Sequence, residues 1–189
     1  MGRLQAQKGF DLLLRAWPAV VAAVPDARLR IVGEGPLGGE LARVAEELGV
    51  AASVEWAAPT AAIEALYREA ALFALSSRYE GMPLALLEAQ ALGVPAVAFD
   101  CPTGPAEIVT GDTGIVVAAG DVAAFAAAVV ALLRDPVRRA GMAHAAIARS
   151  RACFGLQRHV DAWAALVAEV ARRPLPSMPP TGVGSAAPT

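Results

Sequence analysis

Cysteine, histidine and aromatic side chains are all scarce in this chain. Its two cysteines, Cys101 and Cys153, form no CxxC pair and have no histidine at ligand spacing. That pattern gives neither a zinc motif nor a disulfide framework. A reducing cytoplasmic setting is therefore expected, with peripheral attachment at the inner membrane left open. The two histidines, His144 and His159, also lack ligand spacing, so no metal and no cofactor are expected. An excess of one charge is missing too, since 16 basic residues meet 18 acidic ones for a net charge of -2. Without a basic stripe, nucleic acid is not an expected partner. No apolar run approaches the roughly 18 to 20 residues that span a bilayer. Met1 is followed at once by polar GRLQAQKG, which does not read as a cleavable leader.

What is present is a core. Of 189 residues, 56% are apolar and 18% charged, which suits one globular domain. Residues 1–173 carry the periodic segments. Residues 174–189 are rich in Pro, Ser, Gly and Ala and are expected to be a disordered tail.

The organising stretch runs from Ala71 to Val109. It predicts a buried strand (71–77), a polar loop (78–82), a helix (83–92) and a second buried strand (95–99). A further loop, with Cys101 as a small packed residue, opens a short helix carrying Glu107 at Thr103-Gly104. Both strands are near-continuous apolar runs, as expected of parallel strands covered on two faces. Loops at the carboxyl ends of such strands form the ligand crevice. A helix starting there turns unpaired N–H groups toward the ligand. Glu80 lies in the loop and Glu88 eight positions later on the helix. An anion site beside two carboxylates suits a ligand with phosphates and hydroxyls, such as a sugar nucleotide.

Other segments complete an α/β pattern. Gly2 to Gly9 is a loop with Arg3 and Lys8, followed by a helix over 10–24. From these residues alone the loop is either a phosphate clamp or a solvated basic loop. Strands are expected over 27–32, 53–57 and 114–118, and helices over 37–48 and 61–70, the latter capped by Thr60. Trp56 is expected in the core rather than stacked on a base. Three helices follow Asp121, the first capped by it and ended at Asp135-Pro136. The last carries an apolar stripe at Leu156, Val160, Trp163, Val167 and Val170, expected to face a core or another domain rather than a membrane.

The segments GRLQAQKGF, RIVGEGP, SSRYEGMPLALLEAQALGVPAVAFD and CPTGPAEIV stand in an order that resembles the retaining GT-B glycosyltransferases of the GT4 type. The resemblance covers about the first 170 residues, and its hallmark is a Glu, seven residues and a second Glu, here Glu80 and Glu88. It implies an open parallel Rossmann-like sheet flanked by helices, the C-terminal, donor-binding half of a GT-B fold. It implies transfer of a sugar from a nucleoside-diphosphate sugar, with retention, to a glycan, lipid-linked or small-molecule acceptor. It places Arg3 and Lys8 on the donor diphosphate, and amides of Gly81, Met82 and Leu84 near the phosphates. Pro83 has no N–H and fits as the first helical residue. By the same resemblance Glu88 meets the ribose hydroxyls, and Glu80 acts on the transferred sugar. The family needs no metal.

One departure has consequences. In the family, GRL follows an apolar strand within the sheet, whereas here it opens the chain. The sheet is thus expected to lack its first strand and to show unpaired edges. The family's N-terminal acceptor domain is likewise missing, so this chain alone is expected to be an incomplete, weakly active enzyme. Two other readings remain. Gly33, Gly35 and Gly38 after a strand, with Glu55 downstream, fit the G-x-G-x-x-G fingerprint of a dinucleotide-binding oxidoreductase. A non-catalytic truncated remnant is the other.

Overall fold

The computed structural model describes residues 1–173; the expected tail at 174–189 lies outside the described residues. The chain divides into two compact units, Met1–Cys153 and a second beginning at Phe154. The first unit alternates strands and helices. These are α1 (Phe10–Ala23), β1 (Leu29–Val32), α2 (Gly38–Glu47), β2 (Val54–Ala57), α3 (Ile63–Glu69) and β3 (Phe73–Leu75). There follow α4 (Leu84–Ala91), β4 (Ala96–Asp100), α5 (Pro105–Ile108), β5 (Gly114–Ala118), α6 (Val122–Arg134) and α7 (Pro136–Phe154). The second unit contains α8 (Leu156–Arg172), on which Trp163 Nε1 donates to His159 Nε2 at 3.0 Å.

Every strand pair is parallel, but the sheet lies in two pieces: β1–β2, and β3–β4–β5. This α/β architecture is the expected one. A cavity of about 490 Å³ is lined by all of β1, by Phe73 and Ala74 of β3, and by Met1, Trp17 and Tyr67. The edges of β1 and β3 that carry no strand ladder among the described residues border this space. Burial still proceeds, because strand side chains alternate between faces. Val97 and Phe99 of β4 enter a core with α1 and α6, where Phe99 and Phe125 rings stand 4.7 Å apart. Ala96 and Ala98 enter a second core with Tyr67, Leu86 and Ile108.

Several local expectations are corrected. The strand expected over 71–77 forms a ladder only over Phe73–Leu75, because β3 pairs with β4 alone. Thr60 Oγ1 accepts from the N–H of Ala62 at 3.1 Å, but Ala62 is itself the N-cap of α3, so Thr60 does not cap that helix. Pro83 is the N-cap of α4, since its ψ of 86° is not helical. Trp56 is 37% exposed: β2 is an edge strand whose cover falls away after Val54. The buried tryptophan is Trp17, whose Nε1–H reaches Ser53 Oγ at 2.9 Å. Asp121 does cap α6, accepting from the Ala124 N–H at 2.9 Å.

Candidate functional site

The loop before α1 is stitched to the loop after β3. A single 3-10 turn (Ala6–Lys8) ends at Gly9, whose φ is 61°. A Cβ there would stand 2.0 Å from the Ser76 carbonyl oxygen, so only glycine lets the two segments touch. Ser76 Oγ donates to the Lys8 carbonyl at 3.0 Å, and the Arg78 N–H to the Gln7 carbonyl at 2.8 Å. The Arg78 guanidinium grips both Asp11 oxygens at 2.8 and 2.7 Å. That hydrogen-bonded pairing holds the Asp11 carboxyl below its ordinary range.

The stitching brings Lys8 Nζ to 2.7 Å from Glu80 Oε1. Ser77 Oγ donates to the same oxygen at 2.7 Å. Glu80 is only 8% exposed, so its charge is matched by a cation and a hydroxyl where water is scarce. Both bonds fall on Oε1. Thr103, at a left-handed φ of 60°, donates its hydroxyl to the Glu80 carbonyl. Gly104 follows at φ 92°, where a Cβ would lie 2.6 Å from Pro83 Cδ. The loop after β4 therefore presses on the loop that carries Glu80. Cys101 is buried there, and burial first, then the Glu80 charge, pushes its thiol pKa up. A packed thiol of that kind is a poor nucleophile.

Glu88 lies one turn into α4, on its exposed side. The Tyr67 hydroxyl donates toward Glu88 Oε2 at 2.9 Å, with the Ala85 carbonyl at 3.1 Å. At the start of α4 the Pro83 carbonyl accepts from Leu86 and Leu87, which leaves the Leu84 and Ala85 N–H groups without helical acceptors. The Gly81 and Met82 residues before them are exposed, as is the Leu84 side chain. Arg3 is exposed on the other loop and joins no ion pair among the described residues. Its neighbours run beside the end of β1, with the Gly2 N–H on the Val32 carbonyl and the Leu4 N–H on the Glu34 carbonyl, both at 2.9 Å.

Those two contacts reassign the glycine fingerprint. A Cβ on Gly33 would meet the Gly2 carbonyl oxygen at 1.9 Å, and one on Gly35 would meet Leu4 backbone atoms within 2.6–2.9 Å. These glycines admit the chain's own first residues, where a pyrophosphate would have to approach in the dinucleotide reading. Glu55 is held by Arg30 at 2.9 Å. Among the described residues no group of three or more His, Cys, Asp or Glu side chains could hold a metal ion.

The structure thus joins Lys8 to Glu80 directly and sets both beside the start of the helix that carries Glu88. Sequence reasoning missed Ser77 and Tyr67. Ser77 stood inside the quoted motif, three residues before Glu80, but nothing in that spacing announces a hydrogen bond. Tyr67 gave no signal beyond helical periodicity.

A parallel α/β unit with a basic loop, a helix start and two carboxylates at the strand ends has the chemistry that suits an anionic, hydroxyl-bearing ligand. The family profile described as glycosyl transferases group 1 matches residues 1–135, and the chain belongs to that family. It is 40% identical over 151 residues to a GDP-mannose-dependent alpha-(1-6)-phosphatidylinositol monomannoside mannosyltransferase of Mycolicibacterium smegmatis, covering 75% of this chain and 40% of that one. Among solved structures it superposes on Anabaena Alr3699/HepE, crystallised with UDP, with a TM-score of 0.82 at 24% identity. That match covers 89% of this chain and 47% of the other. The C-terminal domain of LpcC, a glycosyl transferase group 1 protein of Francisella tularensis, matches with a TM-score of 0.75 at 21% identity, covering 82% of this chain and 84% of that domain. The chain is thus a glycosyltransferase group 1 domain resembling the donor-binding C-terminal domain of GT-B enzymes. It spans about a third of the length of the curated relatives it matches, 32% and 40% in two of them. No described helix is long and apolar enough to cross a membrane.

Proposed function

We propose that residues 1–173 bind the donor of a retaining sugar transfer, a nucleoside-diphosphate sugar, at the mouth formed by the Lys8 loop, the Glu80 loop and the start of α4. The Lys8–Glu80 ion pair, set beside that helix start, carries the reading. It puts a cation and a sugar-facing carboxylate within one hydrogen bond of each other. When the bond to the diphosphate breaks, negative charge grows on the leaving group. Lys8, Arg3 and the N–H groups of Gly81, Met82 and Leu84 stabilise it, an electrostatic contribution that commonly dominates transfer rates. Glu80 orients the transferred sugar through Oε2, while Oε1 stays with Lys8 and Ser77. Glu88 accepts hydrogen bonds from the ribose hydroxyls. The reaction needs no metal.

The acceptor, whether glycan, lipid-linked or small, binds a further domain that completes the enzyme. The same longer protein supplies one more strand between β1 and β3, a placement supported by the cavity there. The relatives point to two donor bases, since one is named for GDP-mannose and another was crystallised with UDP. Calorimetry with UDP and with GDP, each with and without a chelator, tests the reading. Millimolar or tighter binding, unchanged by chelator and lost in the Arg3→Ala/Lys8→Ala double variant, is the expected result. Binding unaffected by that double change would overturn the assignment of the basic loop.

A further inference from the structure

Tyr67 stands on α3, an element that carries neither carboxylate, and it is only 2% exposed. Its ring packs 6.0 Å from Phe73 in the second core. Its hydroxyl emerges from that core onto Glu88 Oε2 at 2.9 Å, with the Ala85 carbonyl at 3.1 Å as its alternative acceptor. Burial first, and then the bond to Glu88 and its charge, push the phenol pKa well above the tyrosine range. The group is therefore a permanent donor at physiological pH.

A glutamate on an exposed helical face ordinarily samples several rotamers. This one has one oxygen tied to a side chain that cannot itself move without opening the core. The tie also reaches the first turn of α4, so it fixes the carboxylate relative to the N–H groups at that helix start. Oε1 of Glu88 takes no hydrogen bond from a described residue. A vicinal diol offers two donors a short distance apart. A carboxylate whose plane is fixed can accept from such a diol without first losing rotamer freedom.

We propose that Tyr67 is a positioning residue for the ribose: it locks Glu88 so that one carboxylate oxygen is presented to the 2′- and 3′-hydroxyls of the donor nucleotide. The inference rests on the donor-site reading above and adds the residue that sets its selectivity for ribose over deoxyribose. Tyr67 touches no ligand atom in this scheme and acts through Glu88.

The test compares each ribonucleoside diphosphate, UDP or GDP, with its 2′,3′-dideoxy counterpart in the same titration. The parent chain is expected to prefer the ribose form about tenfold, in line with one good hydrogen bond to a charged group. Tyr67→Phe keeps the ring and the packing and removes only the hydroxyl. It is expected to weaken the ribose form about fivefold and the dideoxy form less than twofold. Glu88→Gln should erase the preference, and adding Tyr67→Phe to it should change nothing further. Thermal melts of each variant check that the fold is kept. Equal weakening of both nucleotides by Tyr67→Phe would make the residue merely structural and overturn the proposal, as would an unchanged preference. In both cases parent binding persists and the donor-site reading survives. A parent chain that binds both alike overturns this proposal and the Glu88–ribose contact, while the donor-site reading still stands or falls on the Arg3→Ala/Lys8→Ala double variant. A parent chain that binds neither nucleotide sinks both.

Discussion

The two carboxylates of this unit are alike in sequence and unlike in space. Glu80 is buried, and its oxygen is shared by an ammonium and a hydroxyl from two separate loops. Glu88 is exposed and is steadied by one neutral phenol rising from the core. The first environment stores charge: either member of the ion pair is costly without the other. The second stores orientation: removing the phenol costs little charge energy but frees a rotamer. Identical side chains eight positions apart thus gain different work from what surrounds them.

The comparison can be broken most severely at Gly9. Gly9→Ala places a Cβ 2.0 Å from the Ser76 oxygen at a φ of 61°, which forces the Lys8 loop off the Glu80 loop. A loss of about 3 kcal/mol in urea unfolding is expected. Gly81→Ala, beside Glu80 but with nothing within 4 Å of its added Cβ, should stay within about 0.5 kcal/mol of the parent. Should Gly9→Ala unfold at the same urea concentration as Gly81→Ala, the tight stitching of the two loops is not a feature of the folded chain.

The next effect belongs to the ion pair. Lys8→Ala leaves the Glu80 carboxylate, with side-chain exposure of 6%, facing only Ser77. It should cost about 2 kcal/mol at pH 7, less than a fully buried pair because the Lys8 side chain is 24% exposed. Adding Glu80→Gln should recover part of that loss, since an amide needs no counter-charge. A double variant no more stable than Lys8→Ala alone would mean that charge is not what the lysine answers.

The smallest effect comes from the outer tie, Arg78 with Asp11. Both side chains are exposed by a third or more, 40% and 34%, so solvent screens them. Arg78→Gln should cost about 0.5 kcal/mol. Its pH dependence has a definite sign. Asp11 has a folded pKa below its unfolded value, foremost because Arg78 donates hydrogen bonds to it. The contribution is therefore full above the unfolded value, about 3.9. It is lost as pH falls through the lower folded value. The gap between parent and Arg78→Gln should be present at pH 7 and close as pH falls through the lowered folded value of Asp11. A gap that widens in acid would assign the effect to something other than this carboxylate.

Much of the architecture was legible before any coordinates. The apolar run GIVVA marked the strand at 114–118 to the residue, and Asp121 and Asp135-Pro136 marked both ends of α6. Such signals are local: a cap or a breaker acts within one turn of itself. Errors gathered where the neighbour decides. Trp56 looked like core because tryptophan usually is, yet its strand lies at a sheet edge. Gly33 and Gly35 fitted a dinucleotide fingerprint only as an alternative reading, and the neighbours they make room for are Gly2 and Leu4.

By itself, then, the sequence determined the alternation of strands and helices and the family, and it singled out Lys8, Glu80 and Glu88 as candidate charged groups of one site. Tertiary structure alone decided that Lys8 and Glu80 share an ion pair, that Ser77 joins it, and that a tyrosine from α3 holds Glu88. The reason is physical. Patterning along a chain encodes which face of an element is apolar, a property each segment carries with it. Which side chain meets which across 72 or 21 positions depends on how the packed segments come to rest.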